Sequence, residues 1–266
     1  MKLFSFLYIF LSPLFFSQNK HIYLYDLKYK MDTLKGMIVN APQVLLIEGG
    51  ESKFFDYNLY KQDSLNATDL SGLKTSILSK VGLETKRKYQ SSLNKNYRLV
   101  SIDYYVYQTN DKINWKLSKE KKRTENYELQ KATAFYGGRF WTAWFCKDIQ
   151  VFEGPYKFNG LPGLIFEVYD DKENYHFTLI GERKYNTINT TDFLENSSKR
   201  RAIEVSFSKY QNLLLDNYKN PLAQLRQYCM KNNLPFDYTK QDENDMKMLL
   251  KQYNNPVEID TAIKYK

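Results

Sequence analysis

GGRFWTAWFCKDIQVFEGPYKFNGLPGLIFEVYD, residues 137–170, is the stretch whose reading decides the fold. Gly137-Gly138 has the composition of a tight hairpin turn between Tyr127–Tyr136 and Arg139–Cys146. In the second of these strands Arg139, Trp141, Ala143 and Phe145 share one side. Phe140, Thr142, Trp144 and Cys146 share the other. Gly154-Pro155 is a bend. Leu161-Pro162-Gly163-Leu164 has the form of a type II turn, because proline presets its first central position and glycine permits the positive φ of its second. Leu164–Tyr169 and Tyr175–Ile180 then flank the polar loop Asp170–Asn174 as a second hairpin. Glycine and proline here punctuate strands, and nothing in the stretch demands a reacting group.

The same alternation continues outward. Tyr23, Tyr25, Leu27 and Tyr29 fall on one side of a first strand over His21–Lys30. Met37–Glu48 reads as a second strand broken by Pro42, and Ser52–Tyr60 as a third after Gly49-Gly50. Tyr97–Gln108 reads as one strand carrying Val100, Ile102, Tyr104 and Val106 on a face, and Ile113, Trp115 and Leu117 continue after a turn at Asn110-Asp111. One interruption has helical period: Leu70, Leu73, Ile77 and Val81, with Gly82 as its stop. Past about residue 195 the period is helical throughout. Ile203, Phe207, Tyr210, Leu214 and Tyr218 make one face. Asn220-Pro221 restarts the chain as N-cap and first turn. Thr239 with Asp242 opens a last helix that stops before Asn255-Pro256. Short loops between most strands imply antiparallel pairing. The expected fold is mainly β: a strongly curved antiparallel sheet, a half-barrel or bowl, with one internal helix and C-terminal helices. The expected division is a signal peptide at 1–17, a curved β domain at 18–195 and a helical segment at 196–266 packed on it.

The division rests on the start of the chain. Met1-Lys2 is basic, and Leu3–Phe16 is apolar but shorter than the about 20 residues a spanning helix needs. That pattern describes a secretory signal cleaved after Ser17, leaving Gln18 first; an uncleaved anchor is the other reading. The net charge is +9, and +8 without Lys2. It favours acidic partners in general. The lysines are spread, however, and the densest run, Lys119–Arg123, reads as a solvated loop. Export and the lack of a basic stripe disfavour nucleic acid. Cys146 and Cys229 would meet an oxidising compartment, either as one disulfide or as two buried thiols. With His21 and His176 they lack metal-ligand spacing, and no cofactor motif occurs.

Residues 154–165 resemble a known family. Gly160-Leu161-Pro162-Gly163-Leu164-Ile165 carries the signature of the GLPGLI family of secreted bacterial proteins, and the resemblance extends to Gly154-Pro155-Tyr156-Lys157-Phe158, Gln130-Lys131-Ala132-Thr133, Gly138-Arg139, Ala143-Trp144 and Asn255-Pro256. It implies export to a Gram-negative envelope, periplasmic or secreted, with no activity attached. Asp32-Thr33-Leu34, Asp63-Ser64-Leu65 and Asp260-Thr261-Ala262 have the form of O-glycan acceptors in bacteria carrying this family, and such tripeptides also arise by chance.

Three functional classes follow. A binder would use Arg139, Trp141, Trp144, Tyr156 and Lys157, aromatic faces against an apolar or glycan ligand in the concave face and cations at its rim. The structural alternative makes Trp144 and Phe140 core, lines the opposite side with Trp141 and pairs Arg139 with an acid. An interaction module would lend a sheet edge to another envelope protein. A carboxylate hydrolase would need acids such as Glu153, Glu167, Asp170 or Asp171 to converge. The expectation is a binder of lipid or glycan, not an enzyme, with no transmembrane segment after cleavage.

Overall fold

The computed structural model describes residues 20–32, 36–61, 79, 81–185, 194–195, 201–253 and 255–265. The expected signal segment, most of the helix expected at Leu70–Val81, and two of the Asp-Ser/Thr tripeptides in whole or part lie outside these residues.

Twelve described strands form one sheet. They are β1 (Lys20–Lys30), β2 (Ile38–Glu48), β3 (Glu51–Asp56), β4 (Thr85–Lys88), β5 (Leu93–Val100), β6 (Asp103–Asn110), β7 (Lys116–Arg123), β8 (Glu128–Tyr136), β9 (Arg139–Cys146), β10 (Leu164–Asp170), β11 (Tyr175–Tyr185) and β12 (Ile203–Glu204). Residues 57–61 are helical (α1), and α2 (Phe207–Lys219), α3 (Ala223–Lys231) and α4 (Lys240–Gln252) follow the strands. The sheet order is β12-β6-β5-β4-β3-β2-β1-β11-β10-β9-β8-β7. β12 runs parallel to β6, so the sheet is mixed rather than wholly antiparallel. The first strand of the chain is central, between β2 and β11.

The sheet bends strongly. Eight strands separate β6 from β8 in the order, which in a flat sheet would hold them roughly 40 Å apart at the usual inter-strand spacing. Yet the Tyr136 hydroxyl at the end of β8 donates to Asp111, the residue after β6, at 3.0 Å. The inner face is therefore a concavity, although β12 and β7 do not pair to close it. Tyr23, Tyr25, Leu27 and Tyr29 of β1 face inward with Phe54, Trp141, Phe145 and Phe177. Outside, Ile22, Val44, Leu46, Phe55 and Tyr97 pack with Leu194 and against α1 residues Tyr57 and Tyr60. β2 is thus buried on both faces along Val44–Ile47, as central strands are.

Several local expectations change. Tyr97–Gln108 is two strands, β5 and β6, joined at Ser101-Ile102. Ser101 takes the left-handed conformation at φ 55°, without the Gly or Asn that announces such a turn. β4 has four residues, Thr-Lys-Arg-Lys, and too few apolar positions to show a period. The lysine run at 119–123 belongs to edge strand β7, where exposed charge discourages further pairing. Pro42 is tolerated inside β2 because β3 pairs only from Gln43 onward, so its other side is open. Asn220 caps the end of α2, and α3 starts from Leu222 without a side-chain bond. Thr239 and Asp242 form the expected capping box. Cys146 and Cys229 are both free and buried. Cys146 packs with Leu129 and Trp144 at the end of β9, whereas Cys229 lies on α3, so no disulfide links them.

Candidate functional site

The connection from β9 to β10, residues 147–163, folds back over the concavity and plugs it. Gly163 makes this approach feasible: a Cβ there would stand 2.0 Å from the Cys146 carbonyl oxygen. Its φ of 152° and its N–H bond to Leu161 O at 2.8 Å describe a three-residue turn about Pro162, not the type II turn the composition implies. The plug's hub is Phe158, fully buried, with its ring 4.5 Å from Trp141 and near Tyr136, Tyr156 and Phe177. Burying one such ring stabilises by about 2–3 kcal/mol.

Charged groups fix the plug to both walls. Glu153 is fully buried. Its Oε2 accepts from Arg87 Nε at 3.0 Å, from Arg87 Nη2 and from Ser52 Oγ at 3.2 Å, and its Oε1 accepts the Gln90 N–H at 2.9 Å. Arg87 Nη1 also donates to Tyr156 O at 2.7 Å. Lys157 lies 2.7 Å from Glu258 and 3.1 Å from Asp111. Glu258 Oε1 further accepts from Tyr136 at 2.8 Å and Tyr156 at 2.6 Å. Burial opposes the Glu258 charge. Lys157 and the two phenols outweigh it and hold the carboxyl below its ordinary range.

The residues after α4 form a strap that crosses the concavity. Arg139 fastens it, donating to Val257 O at 2.9 Å, Asn255 Oδ1 at 2.5 Å and Pro256 O at 2.7 Å while pairing with Asp170 at 2.9 Å. Tyr175 donates to Asn255 O, and Asn255 Nδ2 to Lys30 O. Beyond these anchors the Ile259 N–H bonds Gly137 O.

Between the strap, α2 and the inner face of β5 and β6 lies a cavity of about 720 Å³. That is within the usual range for small-molecule sites. Tyr107 stacks on Tyr210 at 4.3 Å and meets Phe207 at 5.3 Å along one wall. Tyr156 and Glu258 reach it from the plug and the strap, and Arg98 from β5. Phe207, Tyr210 and Leu214 make the apolar stripe of α2 and line the cavity; no residue of that helix is fully buried.

Of the five residues expected to bind, Tyr156 alone lines this cavity. Lys157 sits in the ion network and Arg139 holds the strap, both buried. Trp141 is core beside Phe158. Trp144 lies on the outer face, with Lys122 Nζ 4.6 Å and Lys131 Nζ 5.8 Å from its ring. Glu153 and Glu167 do not converge: Glu167 is also on the outer face, bonded to His176 at 2.8 Å and to Lys122. Asp170 is taken up by Arg139 and Asn174. Arg98 and Tyr107 carry no motif in the sequence; the strap shows there only as Asn255-Pro256 and Asp260-Thr261-Ala262, neither of which points to a cavity wall, and the α2 stripe only as a helical face. Among the described residues no group of three or more His, Cys, Asp or Glu could hold a metal ion, and no helix is long and apolar enough to cross a membrane.

A family described as "Protein of unknown function (Porph_ging)" matches residues 138–167, which run from the β8–β9 turn through the plug into β10. No curated protein matches the chain. Two solved structures of PNGF-II, in the C2 and P21 space groups, superpose with a TM-score of 0.53 at 11% identity over 75% of this chain. The chain spans about a third of the length of those proteins, 33% and 34%. The likeness is one of fold. A putative outer membrane lipoprotein-sorting protein domain from Vibrio parahaemolyticus matches 69% of this chain and 93% of its own at 8% identity, with a TM-score of 0.26, and bears no weight.

Proposed function

We propose that this chain is an exported cell-envelope protein that binds an apolar or glycan ligand in the cavity beneath its C-terminal strap and catalyses no reaction. The cavity carries the reading: about 720 Å³, walled by Tyr107, Tyr156, Phe207 and Tyr210 and held open by a sheet, a helix and a strap anchored elsewhere. Aromatic rings of this kind lie along acyl chains or stack on sugars. The motif supports it indirectly, as the plug that sets the cavity floor. Export is supported by the first 17 residues and by the GLPGLI resemblance.

Native mass spectrometry of the protein purified from its own envelope tests this. A stoichiometric adduct is expected, and Tyr210→Ala should lose it while keeping the far-UV circular dichroism of the parent. A clean protein mass in repeated preparations overturns the reading.

A further inference from the structure

The cavity has a polarity as well as a shape. Its charged lining is Arg98, Lys251, Lys264 and Glu258. Glu258 is already matched, with its Oε1 taken by Lys157, Tyr136 and Tyr156. None of the three cations forms an ion pair within 4.0 Å among the described residues, and only Arg98 feels a nearby buried carboxyl, that of Glu84, which does not line the cavity. The wall around them is therefore net positive.

Arg98 is the most confined of the three. Its Nη1 donates to Glu84 O at 2.8 Å and to Tyr97 O at 2.7 Å, which fixes the plane of the guanidinium. It also meets the Tyr107 hydroxyl. The rest of the fork is directed among the lining tyrosines. Its hydrogen-bond acceptors are neutral, and the one buried carboxyl whose charge it feels, Glu84, makes no ion pair with it and has its own ionisation opposed by burial; a buried guanidinium is ordinarily paired more fully than this. It is also the group best suited to a carboxylate or a phosphate, whose paired oxygens match its parallel N–H bonds.

The rest of the wall favours an apolar body over a sugar. Leu83, Phe207, Leu214, Val257 and Ile263 line it beside the tyrosine rings. The α2 stripe is apolar yet not fully buried, so an apolar body against it would remove further surface from water.

We propose that the ligand is an amphiphilic acid: an apolar chain or ring system lying against α2, with a carboxylate or phosphate head on Arg98. This deepens the cavity reading and rests on it. Lys251 at the end of α4 and Lys264 on the strap would add attraction for the head.

The test titrates decanoate, decyl phosphate and uncharged decanol into the purified full chain by isothermal calorimetry. Both acids should bind at least tenfold more tightly than the alcohol. Raising the salt concentration should narrow that gap. Whichever acid binds more tightly names the head group. Arg98→Gln, checked for an unchanged circular dichroism spectrum, should reduce the preference for acids to less than threefold while leaving decanol binding unchanged. If that variant does not fold, Arg98→Lys replaces it and should weaken the acids severalfold, with decanol again unmoved. Equal affinity for the acids and the alcohol would overturn the anionic head and leave the cavity reading standing. Absence of binding by all three, with a sugar adduct in the native mass spectrum, would overturn the amphiphile alone. Absence of binding with no adduct of any kind would remove the cavity reading as well.

Discussion

Replacing Glu153 by glutamine tests whether the plug is held by charge. The change keeps the size of the side chain and removes its negative charge. Oε2 now accepts two donors from Arg87 and one from Ser52, and Oε1 accepts a backbone N–H from Gln90. An amide nitrogen must replace one of these oxygens and so faces a donor in either orientation. Arg87, 3% exposed, loses its counter-charge in place. Removing one partner of a buried pair costs about 3–5 kcal/mol. At about 2–4 °C per kcal/mol for domains of this size, the thermal midpoint should fall by about 6–20 °C, read by far-UV circular dichroism. Arg87→Met strands the carboxylate and should cost a similar amount. The double variant strands neither, so it should lose at least about 2 kcal/mol less than the two single losses combined. A Glu153→Gln loss below about 1 kcal/mol, or strict additivity in the double variant, would refute the claim that this pair pins the plug.

Two further outcomes follow from the same geometry. Gly163→Ala should destabilise by about 3 kcal/mol or more in urea titration, because its Cβ would stand 2.0 Å from the Cys146 carbonyl oxygen at the first rung of the β9–β10 ladder. A neutral result would mean that the plug can shift without cost. The Glu167 carboxyl is held down to about 2, mainly by its hydrogen bond to His176 and then by Lys122. Its folded-state pKa is depressed, so its contribution is present above the ordinary value of 4.5 and is lost as pH falls from there toward about 2. Glu167→Gln should therefore be less stable than the parent at pH 7, with the gap closing as pH falls from 4.5 through about 2. A gap that persists at low pH would assign the effect to packing instead.

The strands of the central block were legible because their faces are chemically unlike. Tyr23, Tyr25, Leu27 and Tyr29 alternate with residues of another face, and Gly137-Gly138 announces its own turn. What escaped sequence reasoning lacked such contrast. The Ser101-Ile102 turn sits inside an alternating stretch with no glycine, proline or asparagine to mark it, and β4 is too short to show a period. β7 is an edge whose two sides are both wet, so its lysines alternate with nothing. The site was harder still. Arg139 and Lys157 were visible as cations beside aromatics, but their partners come from residues 111, 170 and 255–258, which only the closed fold brings near. Arg98 looks like any strand arginine until Tyr107, Tyr156 and the strap surround it.

The middle of the sheet joins opposite parts of the chain: β1 lies between β2 and β11, so Lys20 faces Tyr185 across one rung. A chain delivered from its N-terminus presents β1 and β2 as a hairpin long before β11 arrives. Until then one apolar rim of β1 offers unpaired amides and carbonyls to any passing strand. Contacts of such sequence separation also form slowly, since the loop entropy is lost before the pairing rewards it. The architecture thus makes the half-delivered chain, with one side of β1 still unpaired, a more vulnerable species than the finished protein.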